Sequence, residues 1–195
     1  MEHDCDIAIV GGGLNGPALA LAAAQVGLRV IVLDATSHKP RKNAKFDGRA
    51  YALALASKRL MAAVGVWENV AQDAEPMLNI RVSDGRAGVG ASPFFMDFDH
   101  AELEEGPMGY MVEDRHLRYA LQAAMQTSPL IEYRLATRVT GQSTGPEGVT
   151  LSLANNQKIT TRLLVGADGR KSGTAARAGI TYTGWQYGQT ALVCA

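Results

Sequence analysis

The chain has 195 residues, enough for one well-buried domain or for one domain with part of a second. Its 47% hydrophobic content and its balance of 19 basic against 19 acidic residues belong to a globular protein; they exclude a disordered chain and give no basic surface for nucleic acid. The two cysteines, Cys5 and Cys194, lie at opposite ends without Cys-x-x-Cys or Cys/His spacing, so neither a disulfide framework nor a metal site is indicated and a reducing cytoplasm fits.

Met1-Glu2-His3-Asp4 is acidic and runs straight into an apolar segment, which is not how a secretory leader begins. Asp6-Ile7-Ala8-Ile9-Val10 is almost continuously apolar, the pattern of a strand buried on both faces of a parallel sheet. Gly11-Gly12-Gly13-Leu14-Asn15-Gly16 follows at once, and Leu14 to Val26 reads as an alanine- and leucine-rich helix. Pro17 falls in its first turn, where a missing N–H costs little, and Gly27 ends it. The apolar stretch from Ala18 to Ala24 is too short to span a bilayer. A second buried strand, Arg29 to Leu33, stops at Asp34 and completes a βαβ unit.

From Asp47, a plausible N-cap, Leu53, Leu60 and Val64 recur at roughly helical spacing until Gly65. Between about Pro76 and Met111 the pattern changes to short β-like runs containing Ile80, Val82, Phe94, Phe95, Met96 and Phe98, an excursion from the first sheet. Helical spacing returns at Leu117, Ala120, Leu121 and Ala124 and ends near Ser128-Pro129. Three β runs follow, Arg138 to Ser143, Val149 to Leu153 and Lys158 to Val165. Turns at Gly145-Pro146-Glu147-Gly148 and Asn155-Asn156 make them a β-meander. The last run feeds Gly166-Ala167-Asp168-Gly169-Arg170.

In the first glycine motif, Gly11 permits the tight turn, Gly13 lets the backbone approach a pyrophosphate, and Gly16 allows close packing of helix on strand. Leu14 and Asn15 open a helix whose free N–H groups and positive dipole end suit phosphate. Asp34, at the end of the next strand, is placed to accept hydrogen bonds from an adenosine ribose. In the second motif small residues flank Asp168 and keep the backbone slim enough for a ligand to approach. Asp-Gly is also a common turn, so the weight comes from the whole string Leu163 to Ser172 downstream of a βαβ unit. His3, His38, His100 and His116 show no ligand spacing and read as surface or turn residues. Phe94, Phe95, Phe98, Tyr110 and Met111 suit either an aromatic-lined pocket or ordinary β-core packing.

With both motifs in place, the whole chain resembles the FAD-dependent aromatic hydroxylases of the para-hydroxybenzoate hydroxylase type. Two further strings resemble the ubiquinone-biosynthesis hydroxylases within that group: Asp47-Gly48-Arg49-Ala50-Tyr51-Ala52-Leu53, continuing through Ser57 and Leu60 to Gly65-Val66-Trp67, and Tyr187-Gly188-Gln189-Thr190-Ala191-Leu192-Val193. The fold so implied is α/β, a Rossmann-like FAD-binding βαβ sheet with a β-meander crossover and part of a β-rich substrate domain. The cofactor-binding domain would occupy 1–75 and 112–184, and the partial substrate sheet 76–111 and 185–195.

The resemblance also implies residue roles. Asp168 would contact the ribityl chain of FAD near the NAD(P)H path, Arg49 would lie close to the pyrophosphate and flavin, and Arg115, in Glu113-Asp114-Arg115-His116-Leu117, would face the cofactor. Val139 would make a backbone contact with adenine. NAD(P)H would reduce FAD, and molecular oxygen would supply the atom delivered to an electron-rich ring, without a catalytic side chain from this part of the protein. A polyprenylated phenol on the way to ubiquinone is the expected substrate. A cytoplasmic protein with peripheral contact at the inner membrane face, or within a biosynthetic complex, is the expected setting.

Members of this group carry a later Gly-Asp motif that this sequence lacks, so the chain reads as an N-terminal part, inactive by itself. Ala191 to Ala195 reads as an interrupted strand. A flavin-dependent reductase or oxidase of the same fold, and a non-catalytic nucleotide-binding module, are the alternatives. A halogenase is disfavoured because its tryptophan-rich motif is not seen.

Overall fold

The computed structural model describes residues 3–37, 45–86, 88–102 and 104–192. In chain order the first elements are β1 (Cys5–Val10), α1 (Asn15–Gln25), β2 (Val30–Leu33), β3 (Ala50–Ala54), α2 (Leu55–Ala63) and, after two short 3-10 turns, β4 (Ala74–Pro76). There follow β5 (Asn79–Arg86), β6 (Gly90–Asp99), β7 (Gly109–Glu113), α3 (Asp114–Thr127) and β8 (Ile131–Arg134). The chain continues through β9 (Val139–Gly145), β10 (Gly148–Leu153), β11 (Lys158–Gly166) and the short α4 (Gly173–Arg177).

Six strands form the principal sheet in the order β8-β2-β1-β11-β10-β9. Strands β8, β2, β1 and β11 run parallel, and β10 and β9 continue antiparallel as the meander. The reason β1 and β2 are almost wholly apolar is visible in the packing. Ile9, Val30 and Val32 face one core with Ala20 and Leu21 of α1 and Leu117, Leu121 and Met125 of α3. Ala8, Val10, Ile31 and Leu33 face a second core with Val139, Leu151, Leu153 and Ile159 of the meander. Burying two faces confines polar residues to the start of β1, where half-buried Asp6 accepts the Arg29 backbone N–H.

Strands β3, β7 and β4 make a second sheet, and among the described residues β5 and β6 pair as a separate hairpin. The hairpin is where the β-like runs of 76–111 lie. Its apolar side chains are poorly covered: Phe94 is 84% exposed, and Val82 and Met96 are more than half exposed.

Two expectations change. The segment after Asp47 begins as strand β3, and the helix starts only at Leu55. Tyr51 and Leu53 pack against the first core, and β3 pairs along its length with β7, so tertiary pairing overrides the helical spacing. Asp47 caps no helix; its carboxylate accepts the Arg49 backbone N–H at 3.2 Å. Strand β8, not expected from the sequence, completes the parallel edge beside β2. His38 and residues 193–195 lie outside the described residues, and Ala191 and Leu192 carry no regular structure.

Candidate functional site

The glycine motif occupies the turn between β1 and α1, at the carboxyl end of the central parallel strands, where open α/β sheets bind ligands. Gly11 has φ +117°, a conformation side chains rarely adopt, and a Cβ there would sit 2.2 Å from the carbonyl oxygen of Ala167. The two motifs therefore touch: the Gly11 turn abuts the backbone just before Asp168, because β1 and β11 are parallel neighbours. A Cβ on Gly16 would lie 2.0 Å from the Gly11 carbonyl oxygen, so Gly16 brings α1 against the turn. Gly13 is different. A Cβ there would meet nothing within 4 Å, which leaves its backbone open to a ligand.

Helix α1 begins with Leu14 as N-cap, whose side chain makes no capping hydrogen bond. Its first N–H groups are accordingly available to an anion. Leu14 also packs against the first core, Asn15 is exposed at the helix start, and Gly16 is buried.

Around this turn is a cleft of about 550 Å³ whose walls include Gly11, Gly12, Gly13, Asp34, Val139 and Asp168. Five sequence segments, from β1 to α4, thus converge on one cavity. Its cationic lining residues are Arg118, Arg138, Lys171 and Arg177, against the carboxylates of Asp34 and Asp168. Four cations against two acids favour an anionic ligand. A groove of about 700 Å³ along α1 and α3 contains none of the motif residues.

Asp34, at the tip of β2, accepts the backbone N–H of Thr36 at 2.9 Å and the hydroxyl of Tyr133 at 3.0 Å. Asp168 faces the start of α4: it accepts the Ser172 hydroxyl, and both the backbone N–H and the hydroxyl of Thr174 at 3.0 Å. Burial would push its carboxyl up, but the hydrogen bonds from Ser172 and Thr174 together hold it below the ordinary value. The acid is thus ionised and tied to its own helix.

Arg49 and Arg115 are not among the residues lining this cleft. Arg49 is exposed and pairs with Asp47 at 2.6 Å and with Asp114 at 3.2 Å, while Arg115 pairs with Glu113. The arginine that α3 contributes to the cleft is Arg118, which sequence reasoning passed over. Its i,i+4 spacing from Asp114 was the available signal. Tyr133 and Asp114 were also missed, since neither belongs to a glycine motif.

The five residues considered for an aromatic pocket divide. Tyr110 packs edge-on against Trp67 at 4.8 Å between centroids, within the first core, whereas Phe94, Phe95, Phe98 and Met111 are exposed. No cluster of three or more His, Cys, Asp or Glu able to hold a metal occurs among the described residues. No helix among them is long and apolar enough to cross a membrane.

Comparison with known proteins places this geometry in context. A family model described as "FAD binding domain" matches residues 4–193. The ubiquinone hydroxylase UbiL of Rhodospirillum rubrum is 41% identical over 96% of this chain and 42% of its own length. The 3-demethoxyubiquinol 3-hydroxylase of Escherichia coli is 33% identical over 96% of this chain and 47% of its own length. The chain therefore spans less than half of each of these relatives. Among solved structures, p-nitrophenol 4-monooxygenase PnpA of Pseudomonas putida superposes with a TM-score of 0.76 at 18% identity, over 95% of this chain and 46% of that one. The flavin-dependent monooxygenase PieE, solved with FAD and substrate, gives 0.69 at 21% identity, over 91% of this chain and 33% of that one. At these identities the structural likeness establishes the fold.

Proposed function

The chain belongs to the FAD binding domain family, and we propose that it is the FAD-holding part of an aromatic-ring monooxygenase acting in ubiquinone biosynthesis. The observation that carries the proposal is the convergence of an open glycine turn, a strand-end acid and a cationic wall on one cleft.

The residues present fit the adenosine diphosphate half of FAD. Gly13 leaves its backbone uncovered, the first turn of α1 has uncapped N–H groups, and Arg118 and Lys171 add positive charge for the pyrophosphate. Asp34 would receive the ribose hydroxyls, Val139 would border the adenine, and Gly11, Leu14, Asn15 and Gly16 would shape the turn. Asp168 would border the ribityl chain while bracing α4. Arg49 and Arg115, which do not line the cleft, are proposed as further cofactor contacts on the family resemblance. Bound FAD would supply the redox and oxygen chemistry that these side chains lack. What the chain itself does is bind, orient and exclude water around the adenosine end.

The proposed organisation is a discontinuous FAD-binding domain over 1–75 and 112–184, with 76–111 and 185–195 contributing to a β-sheet substrate domain. NAD(P)H is the proposed reductant, molecular oxygen the co-substrate and a prenylated phenol the substrate. The relatives named above as ubiquinone hydroxylases support that substrate class. A lipid substrate calls for peripheral contact with a membrane surface or a biosynthetic complex.

Two measurements test the reading. FAD titrated into the 195-residue chain should bind and lose fluorescence; absence of binding overturns the cofactor assignment. The chain joined in frame to the C-terminal remainder of the Rhodospirillum rubrum relative, given NADPH, labelled oxygen gas and a prenylated phenol, should place label in the ring. Flavin reduction with peroxide as the sole product would overturn the hydroxylase reading in favour of a reductase or oxidase.

A further inference from the structure

Asp34 is held from four directions. Its backbone N–H donates to the Arg134 carbonyl at 2.9 Å, and its carbonyl accepts the Thr137 N–H at 2.8 Å. Its Oδ1 accepts the N–H of Thr36 at 2.9 Å, and its Oδ2 accepts the hydroxyl of Tyr133 at 3.0 Å. Tyr133 stands on β8 in register with Val32 of β2, so its phenol reaches Asp34 across the outermost parallel pair.

Gly12 explains why this contact matters. In the dinucleotide pattern G-x-G-x-x-G the second position is free, and nothing in the turn requires glycine there. In this chain a Cβ on residue 12 would lie 2.3 Å from Asp34 Oδ2 and 2.6 Å from the Tyr133 hydroxyl. The glycine at the free position makes room for the Tyr133–Asp34 hydrogen bond.

We propose that Tyr133 is a positioning residue: by fixing the Asp34 carboxylate, it sets the preference of the cleft for a nucleotide ribose carrying both vicinal hydroxyls. The inference rests on the nucleotide-binding reading given above. An ionised carboxylate offers about four lone-pair sites. One on each oxygen is used by Thr36 and Tyr133, which leaves one on each for the two hydroxyls of a 1,2-diol. Burial first, and then the charge and hydrogen bond of Asp34, push the Tyr133 phenol well up, so it stays a donor across the physiological range.

The test is calorimetric titration of the 195-residue chain with ADP, 2′-deoxy-ADP and 3′-deoxy-ADP. The wild-type chain should prefer ADP to either deoxy form by about tenfold, the usual size of one hydrogen bond to a charged group. Tyr133→Phe should reduce that ratio to about twofold with little change in affinity for the deoxy forms. Gly12→Ala, which pushes Asp34 from its place, should do the same. Because the ratio is taken within each variant, partial unfolding does not alter it. An unchanged ratio in Tyr133→Phe overturns this inference and leaves the nucleotide reading standing. Failure of the wild-type chain to bind ADP overturns both.

Discussion

Asp114 and Arg118, one turn apart on α3, are joined twice: Nε donates to Oδ2 at 3.0 Å and Nη2 to Oδ1 at 2.9 Å. The Tyr51 hydroxyl donates to the same Oδ1 at 2.8 Å, and Arg49 lies 3.2 Å from Oδ2. Asp114, only 2% exposed, thus links strand β3, helix α3 and the cleft. Charges alternate from exposed Asp47 through Arg49 and Asp114 and end on Arg118 at the cleft wall.

Asp114→Ala should therefore destabilise the chain by about 2–3 kcal/mol, because it leaves a half-buried guanidinium and a phenol without their acceptor. The shift of the urea midpoint measures this. Arg118→Gln should cost less stability and weaken FAD binding about tenfold, read by fluorescence titration.

Stability should fall on the acid side. Burial would raise the Asp114 carboxyl, but hydrogen bonds from Arg118 and Tyr51 hold it below its ordinary 3.8, and Asp168 is likewise lowered. A carboxyl with a depressed folded pKa contributes stability that is complete above the unfolded value and is lost as pH falls through the folded one. The urea midpoint should be level between about pH 7 and 5 and decline below about pH 4, and Asp168→Asn should make that decline shallower.

Gly11→Ala and Gly13→Ala should separate folding from binding. At Gly11 a methyl would collide with Ala167 and impose a strained φ, so a loss of about 3 kcal/mol is expected. At Gly13 the methyl meets open space, so stability should stay within about 0.5 kcal/mol while FAD affinity drops about tenfold. Melting curves and FAD titrations on both variants check the contrast.

Cys5 should resist thiol reagents in the native chain. It is 1% exposed, and burial pushes its thiol up, so little thiolate is available. Reaction with a chromogenic disulfide at pH 8 should proceed at Cys5 only after denaturant is added.

Much of this was readable in the chain. The apolar runs of β1 and β2, the glycines between them and the turns of the meander are local signals, and the two-sided core explains why those strands carry so little alternation. Residues 50–54 misled because Leu53, Leu60 and Val64 keep helical spacing, yet pairing with β7 makes that stretch a strand. Strand β8 has only four residues and carries Glu132 and Arg134, so its place beside β2 depends on its partner.

By itself the sequence was sufficient for the βαβ unit, the meander, the two glycine motifs and the class of ligand, because each is written in contiguous residues with a short-range physical meaning. The tertiary fold determined which side chains share the cleft. The Gly11–Ala167 contact, the reach of Tyr133 to Asp34 and the pairing that holds Arg118 at the wall join residues 156, 99 and 4 positions apart. The first two depend on strand order and register, and the third on which face of α3 meets the sheet. The two long-range relationships arise only when parallel neighbours distant in sequence are brought side by side, whereas the helix pair is local and the fold decides only that it borders the cleft.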